Sequence, residues 1–168
     1  MKKLFFTAML AVCGLVSAQS DAFEGKGDVR LNVGANFQNG GTGIQSSLDY
    51  GLGESFSAGV QAGYLLGVKE YSGEKPSATH RFDVKARVSA HLGDVLRLPS
   101  NVDVYPGLNL GLKNFGAHVG ARMFFDKGFG VFAEAQFPMA RYNTEASSYR
   151  LLNNQFAFVV GASFDLTK

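Results

Sequence analysis

Apolar and polar residues alternate with a period of two along most of the chain. In residues 29–38 the apolar side chains occupy the odd positions and polar side chains or glycine the even positions. This period is typical of β-strands with two unlike faces, and the 3.6-residue period of an amphipathic helix is absent. Similar stretches recur to the C-terminus and predict eight strands, near residues 29–38, 44–52, 56–68, 81–92, 102–112, 116–125, 129–137 and 156–166.

The segments between these strands indicate how the strands are connected. Three are short and rich in turn-forming residues: Asn39-Gly40-Gly41, Gly53-Glu54-Ser55 and Asp126-Lys127-Gly128. Two longer polar segments, residues 70–79 and 138–154, follow the third and seventh strands and so fall at the same end of an up-and-down barrel. If the N-terminus is periplasmic, both long loops lie outside the cell, which is the asymmetry of outer-membrane barrels. The connection 94–101, at the opposite end, is longer than usual.

Alternation alone does not decide which face of the barrel points outward, because a secreted barrel with an apolar lumen alternates in the same way. Strands of about 10 residues, tilted by about 40°, span about 25 Å, which is the height of the apolar band of a membrane barrel. Glycines concentrate on the polar face, as small residues do where strands curve around a crowded interior. Large aromatic side chains gather near the ends of the apolar stripes, as in interfacial girdles. These features predict an all-β, eight-stranded antiparallel transmembrane barrel with its apolar face outward.

The first residues have the features of an export signal. Lys2 and Lys3 precede an apolar run from Leu4 to Val16, and Val16-Ser17-Ala18 is a small-residue cleavage site. We therefore expect a signal peptide at residues 1–18, cleaved after Ala18, and one barrel domain at residues 19–168. Without the leader the chain is formally neutral and has no cysteine, which gives no electrostatic reason to expect nucleic-acid binding and no thiolate chemistry.

Two segments carry a resemblance to known barrels. Residues 161–166 (GASFDL) resemble the terminal-strand signal by which outer-membrane barrels are recognised for insertion, although Thr167 and Lys168 replace the usual terminal aromatic residue. Residues 104–125 (VYPGLNLGLKNFGAHVGARMFF) are similar to a little-characterised barrel family, and the mature chain as a whole looks like the small OmpX-like and OmpA-barrel-like proteins. The resemblance implies a Gram-negative outer-membrane location, the barrel-insertion machinery as a partner, and contact with outer-membrane lipid including lipopolysaccharide. It implies no activity.

Charged residues on the polar faces are candidates for a network inside the lumen. An unpaired buried charge costs several kcal/mol, so we expect acids and bases to pair and to plug the interior. A gated polar path is the alternative, although open channels use about sixteen strands. The predicted network comprises Asp49, Asp83, Lys85, Arg87, Arg122 and Glu134.

The histidines and one loop raise the question of catalysis. His91 and His118 are expected near opposite ends of the lumen and His80 on the other face, so we expect no metal site and no cofactor. Small barrels that resemble this one act on lipid with serine, histidine and glutamate, and Ser77, His80 and Glu74 lie close together in sequence. All three belong to one loop with no further element to fix them, which favours an ordinary solvated loop.

The segment 138–154 is a candidate contact surface. Arg141, Tyr142, Tyr149 and Arg150 are of types enriched at binding surfaces and could contact a partner or lipopolysaccharide head groups. A mobile loop near anionic lipid is the simpler interpretation. The sequence thus favours a non-enzymatic barrel with a structural or surface-interaction role, and a lipid-modifying enzyme or a narrow transport path are the alternatives.

Overall fold

Eight antiparallel strands close into a barrel in sequence order, with each strand paired to the next and β8 paired to β1. The computed structural model describes residues 21–69, 76–126, 128–142, 149 and 151–167, so the expected leader lies outside the described residues. The fold class predicted from the sequence is confirmed. The elements are β1 (Val29–Gln38), β2 (Gly41–Gly51), β3 (Phe56–Val68), α1 (Ala78–Arg81), β4 (Phe82–Ala90), β5 (Val102–Gly111), β6 (Asn114–Asp126), β7 (Phe129–Arg141) and β8 (Ala157–Asp165).

The two ends of the barrel differ in their connections. We call the end where β1 begins and β8 ends the base, and the opposite end the rim. The base carries the β2–β3, β4–β5 and β6–β7 connections, and the rim carries the β1–β2, β3–β4, β5–β6 and β7–β8 connections. Within the described residues no helix is both long enough and apolar enough to cross a membrane.

The polar face of the sheet points inward. In β4 the side chains of Asp83, Lys85 and Arg87 are buried, whereas Ala86 and Val88, at the alternate positions, are exposed. The same alternation continues around the barrel, so the exterior is covered with exposed valine, leucine, isoleucine and phenylalanine side chains. The lumen therefore holds the charged and amide side chains, and the predicted orientation of the two faces is confirmed.

Aromatic side chains of the outer face form contacts at both ends of the apolar exterior. At the base the rings of Phe129 and Phe164 meet edge to face with their centroids 5.7 Å apart. At the rim the rings of Phe137 and Phe156 lie 5.2 Å apart. Two aromatic bands thus flank an aliphatic middle section.

Glycines on the inner face leave space for large rings on neighbouring strands. A Cβ atom added to Gly120 would collide with the Tyr105 ring, and one added to Gly107 would collide with the His118 ring. Because a narrow barrel has no free interior volume, each ring occupies the space that a neighbouring side chain would otherwise need.

Two features of the strands depart from the sequence-based expectation. Leu65 continues the inward series of Ser57 and Gln61 and is fully buried in the lumen, although it is apolar, and a bulge in the β2–β3 ladder, between Thr42 and Gly43, follows it. The other departure is at β7, which continues to Arg141, beyond the predicted end at residue 137. Both differences lie near the rim, where a strict period of two no longer holds.

Both ends of the lumen are covered by chain segments. At the base, Ala22 is buried and donates its backbone N–H to the Ser100 carbonyl oxygen (2.7 Å), and Phe23 stacks on His91. At the rim, Leu152 is buried, and the Asn153 side-chain amide donates to the carbonyl oxygens of α1 at 3.0 and 3.2 Å. Described chain segments therefore lie over both ends of the lumen.

The β4–β5 ladder is the shortest in the barrel. It runs only from Lys85↔Gly111 to Ser89↔Gly107, and Pro106, which has no N–H to donate, follows at the base side. At the rim side β5 ends before it can reach the first residues of β4. There the Lys113 ammonium donates to the Phe82 and His80 carbonyl oxygens, both at 2.9 Å, and so takes the place of a missing strand partner.

Candidate functional site

The lumen contains a central ion cluster built on Arg87. The guanidinium of Arg87 lies 2.8 Å from a carboxylate oxygen of Glu134 and 3.2 Å from a carboxylate oxygen of Asp49. The three residues come from β4, β7 and β2, and all three are buried. One cation therefore bridges two anions that come from different parts of the wall.

Two glutamines extend this cluster across the lumen. The Gln136 amide donates to Glu134 at 2.8 Å, and the Gln61 carbonyl oxygen accepts from Arg87 at 3.3 Å. The two amide side chains also contact each other at 3.1 and 3.2 Å. Charge-assisted hydrogen bonds of this kind tie β3, β4 and β7 together through the interior.

Tyr105 lies between two arginines. The Arg122 guanidinium is 4.6 Å from the centroid of the Tyr105 ring and the Arg87 guanidinium is 5.9 Å from it, so both lie within range of a cation–π interaction. The ring is fully buried. The sequence placed Tyr105 on the polar face but did not suggest this role.

Arg122 pairs with an acid outside the predicted network. Its guanidinium contacts Asp103 at 3.1 Å, and the structure does not bring it to Asp49, Asp83 or Glu134. Lys85 lies 3.4 Å from Asp83 on the same strand. The six predicted residues are thus all in the lumen, but they form separate clusters. The tilt and stagger of the strands place residues at different heights in the barrel even when they are equally far from the ends of their strands.

A further cluster at the base was missed by the sequence analysis. Arg30 contacts Asp28 at 2.8 Å and Asp165 at 2.7 Å, and its guanidinium lies 4.8 Å from the centroid of the Phe124 ring. All of these side chains are buried. The sequence did contain one signal for this cluster. Arg30 lies on the polar face of the first predicted strand, and an arginine that points into the lumen needs an acidic partner there.

His91 occupies an arrangement that resembles a catalytic triad. Its Nε2 lies 2.8 Å from the Ser57 hydroxyl oxygen and its Nδ1 lies 2.7 Å from Asp103. However, the Arg122 guanidinium is 3.0 Å from the same Nδ1, and burial followed by this positive charge lowers the pKa of His91. A general base must take up a proton during the reaction, and here the resulting imidazolium would face Arg122. We therefore interpret the three residues as a structural hydrogen-bonded chain.

The other histidines are also held by serines. His118 contacts the Ser89 hydroxyl at 2.9 Å, and the rings of His91 and His118 lie 6.2 and 6.3 Å from the Tyr105 ring. His91 lies at the base, as expected, but the expectation that His118 lies near the opposite end is wrong, because the stagger between strands brings both histidines beside the Tyr105 ring. Among the described residues no group of three His, Cys, Asp or Glu side chains is placed to hold a metal ion.

Ser77 and His80 meet at the exposed rim. The Ser77 hydroxyl lies 2.6 Å from His80 Nδ1, across the single turn of α1. Glu74, the third residue of the enzyme alternative, lies outside the described residues. A serine and a histidine in one exposed turn form a local contact and do not build an enclosed substrate site.

The candidate contact residues are found along the rim. Arg141 and Tyr142 are exposed at the end of β7, and Tyr149 packs its ring 6.1 Å from the His80 ring. Arg150 lies outside the described residues. The described members of this group thus belong to the same end of the barrel as α1.

Comparison with known protein families assigns the chain to one of them. Residues 12–166 match a family of unknown function, DUF6646. The chain belongs to this DUF6646 family. No curated protein matches the sequence.

Comparison with solved structures gives the fold of this DUF6646 chain. It matches a structure described as a de novo design of transmembrane β-barrels, with a TM-score of 0.57 and 9% sequence identity, over 85% of this chain and 98% of the designed one. At this identity the match concerns the barrel fold alone.

Proposed function

We propose that this protein is a barrel of the Gram-negative outer membrane with a structural or surface-interaction role, whose lumen is plugged by paired charges. The observation that carries the proposal is that charged side chains lie inside the barrel and apolar side chains outside, which is the reverse of a soluble protein. Arginine and glutamate are buried inside, whereas Val60 and Leu110 are more than half exposed on the outside, at 57% and 59%. In water this arrangement exposes an apolar patch far larger than soluble monomers carry, and hydrocarbon is the environment that suits it.

The location and topology follow from the same proposal. The export signal expected at residues 1–18 would direct the chain to the periplasm, and the barrel-insertion machinery would then place it in the outer membrane. The aromatic bands at the base and the rim would lie at the two membrane interfaces. The rim, with its longer connections, would face outward and the base the periplasm.

The contents of the lumen support a closed barrel. Arg87 crosses the interior to Glu134, Arg122 pairs with Asp103 on the neighbouring strand, and residues 22–23 and 152–153 lie over the two ends. A channel needs a continuous aqueous path, which a narrow barrel filled with side chains does not offer. We propose a non-enzymatic role on similar grounds, since two of the three serine–histidine pairs are buried among lumen side chains and the third lies in one exposed turn.

The deciding experiment is membrane fractionation combined with gel migration of boiled and unboiled samples. We expect the mature chain in the outer-membrane fraction, with faster migration before boiling because the barrel stays folded. Recovery from the soluble periplasm would contradict the proposed location. Discrete current steps in a planar bilayer would contradict the plugged lumen, and loss of a lipid-modifying activity on His80→Ala would contradict the non-enzymatic role.

A further inference from the structure

Three basic residues lie side by side on one part of the rim. Lys113 donates to the carbonyl oxygens of His80 and Phe82, the two residues that flank Arg81. On its other side Lys113 accepts a hydrogen bond from the Tyr142 N–H at 3.1 Å, directly after Arg141. Arg81, Lys113 and Arg141 therefore follow one another around the rim from β4 to β7, and we call them the basic arc.

Exposed apolar side chains lie directly next to the basic arc. Phe82 follows Arg81, Leu112 precedes Lys113, and Met139 lies two residues before Arg141. These three side chains are 47%, 79% and 64% exposed. Each cation of the arc thus has an apolar neighbour on the outer wall of the barrel.

The charge of the rim is one-sided. In the described part of the rim the carboxylate that interacts with the basic arc is that of Asp83, which is buried in the lumen and pairs with Lys85. Over the sequence of the rim connections together with Arg141, the last residue of β7, basic residues outnumber acidic residues by six (Lys69, Lys75, Arg81, Lys113, Arg141 and Arg150) to three (Glu70, Glu74 and Glu145). The arc is therefore a local positive surface at the boundary of the apolar exterior.

We propose that the basic arc binds the phosphate of an anionic membrane lipid whose acyl chains lie along the adjacent apolar wall. The inference rests on the proposed membrane location and adds a ligand class to it. Arginine guanidinium groups bind phosphate oxygens through paired N–H donors, and the exposed apolar side chains provide the surface for hydrocarbon. Tyr142, which is exposed next to Arg141, has a hydroxyl group that supplies a further donor for the head group.

The test measures lipid retention by the purified, folded full-length barrel in a neutral detergent, with native mass spectrometry as the readout. The probes are lipid A, phosphatidylglycerol, phosphatidylcholine and inorganic phosphate. The test variant is Arg81→Gln/Arg141→Gln, which leaves Lys113 in place because Lys113 also supports β4. Lys69→Gln, which removes an exposed rim cation outside the arc, is the matched control.

We expect lipid A and phosphatidylglycerol to bind the wild type more tightly than phosphatidylcholine does. Each lost cation is expected to weaken that binding about fivefold, and the double variant about 25-fold, while Lys69→Gln has little effect. Equal retention by the double variant and the wild type, or an equal loss in Lys69→Gln, would overturn the proposal. Competition by inorganic phosphate at the same concentration as lipid A would overturn the role of the acyl chains.

The folded state is checked in the same samples by gel migration before and after boiling. A wild type that folds and inserts but does not prefer anionic lipid refutes the basic arc alone. A wild type that remains soluble without detergent refutes the membrane location itself. The two failures are therefore distinguishable.

Discussion

Replacing Arg87 by methionine removes the one cation that neutralises two buried carboxylates. Glu134 would keep its bond from Gln136, at 2.8 Å, but would lose both of its contacts with the guanidinium. Asp49 would lose its ion-pair partner at 3.2 Å. Breaking a buried pair by removing one member costs about 3–5 kcal/mol, and because Glu134 retains one donor we expect a loss of about 3 kcal/mol in the free energy of unfolding.

The measurement is urea unfolding of the barrel in detergent micelles, followed by circular dichroism and by gel migration of unboiled samples. With a dependence of about 1–3 kcal/mol per molar urea, the midpoint should fall by roughly 1–3 M. The matched control is Arg87→Met combined with Asp49→Asn and Glu134→Gln, which removes the uncompensated charges and should recover most of the stability. If the single variant unfolds within about 1 kcal/mol of the wild type, charge pairing does not hold the lumen closed.

Three further changes test other parts of the structure. Gly120→Ala should cost about 1–3 kcal/mol of unfolding free energy because the new methyl group meets the Tyr105 ring, while Gly53→Ala, which points into open space, should cost little. The folded state lowers the pKa of His91 below the unfolded value of about 6.5, so the unfolded chain takes up the proton first as the pH falls. Unfolding free energy should therefore decrease from about pH 6.5 downward, and His91→Gln should reduce that slope; an unchanged slope argues against the assignment. Lys113→Met should cost about 1–2 kcal/mol and speed amide exchange at the start of β4, and unchanged exchange there would show that this ammonium does not support the strand.

The period of two predicted the number of strands and divided the residues of each strand between two faces, because a one-residue slip would move every apolar side chain to the wrong side. Strand length, the glycines and the positions of the aromatic residues then indicated that the polar face points inward. Together these signals put Asp49, Lys85 and Glu134 in the lumen. Alternation is a property of each strand separately, so these predictions needed no knowledge of how the strands pair.

The pairing of charges could not be predicted in the same way. Which acid meets Arg122 depends on the tilt and stagger of neighbouring strands, and these are set by the closure of the whole barrel. Asp103 therefore took the place of the expected partners. The alternation of apolar and polar residues also could not predict that Ala22 and Phe23 cover the base. The segment before β1 has no periodicity, and without it the sequence does not indicate where the segment packs.

The short β4–β5 ladder gives the barrel one weak seam. In a closed barrel every strand is hydrogen-bonded to a neighbour on both sides, so the first ladder to open makes the opening of the others easier. Here the break should come where a proline interrupts the ladder on one side and a single ammonium replaces backbone pairing on the other. The barrel should therefore begin to unfold at this ladder, and its opening would leave both β4 and β5 with an unpaired edge.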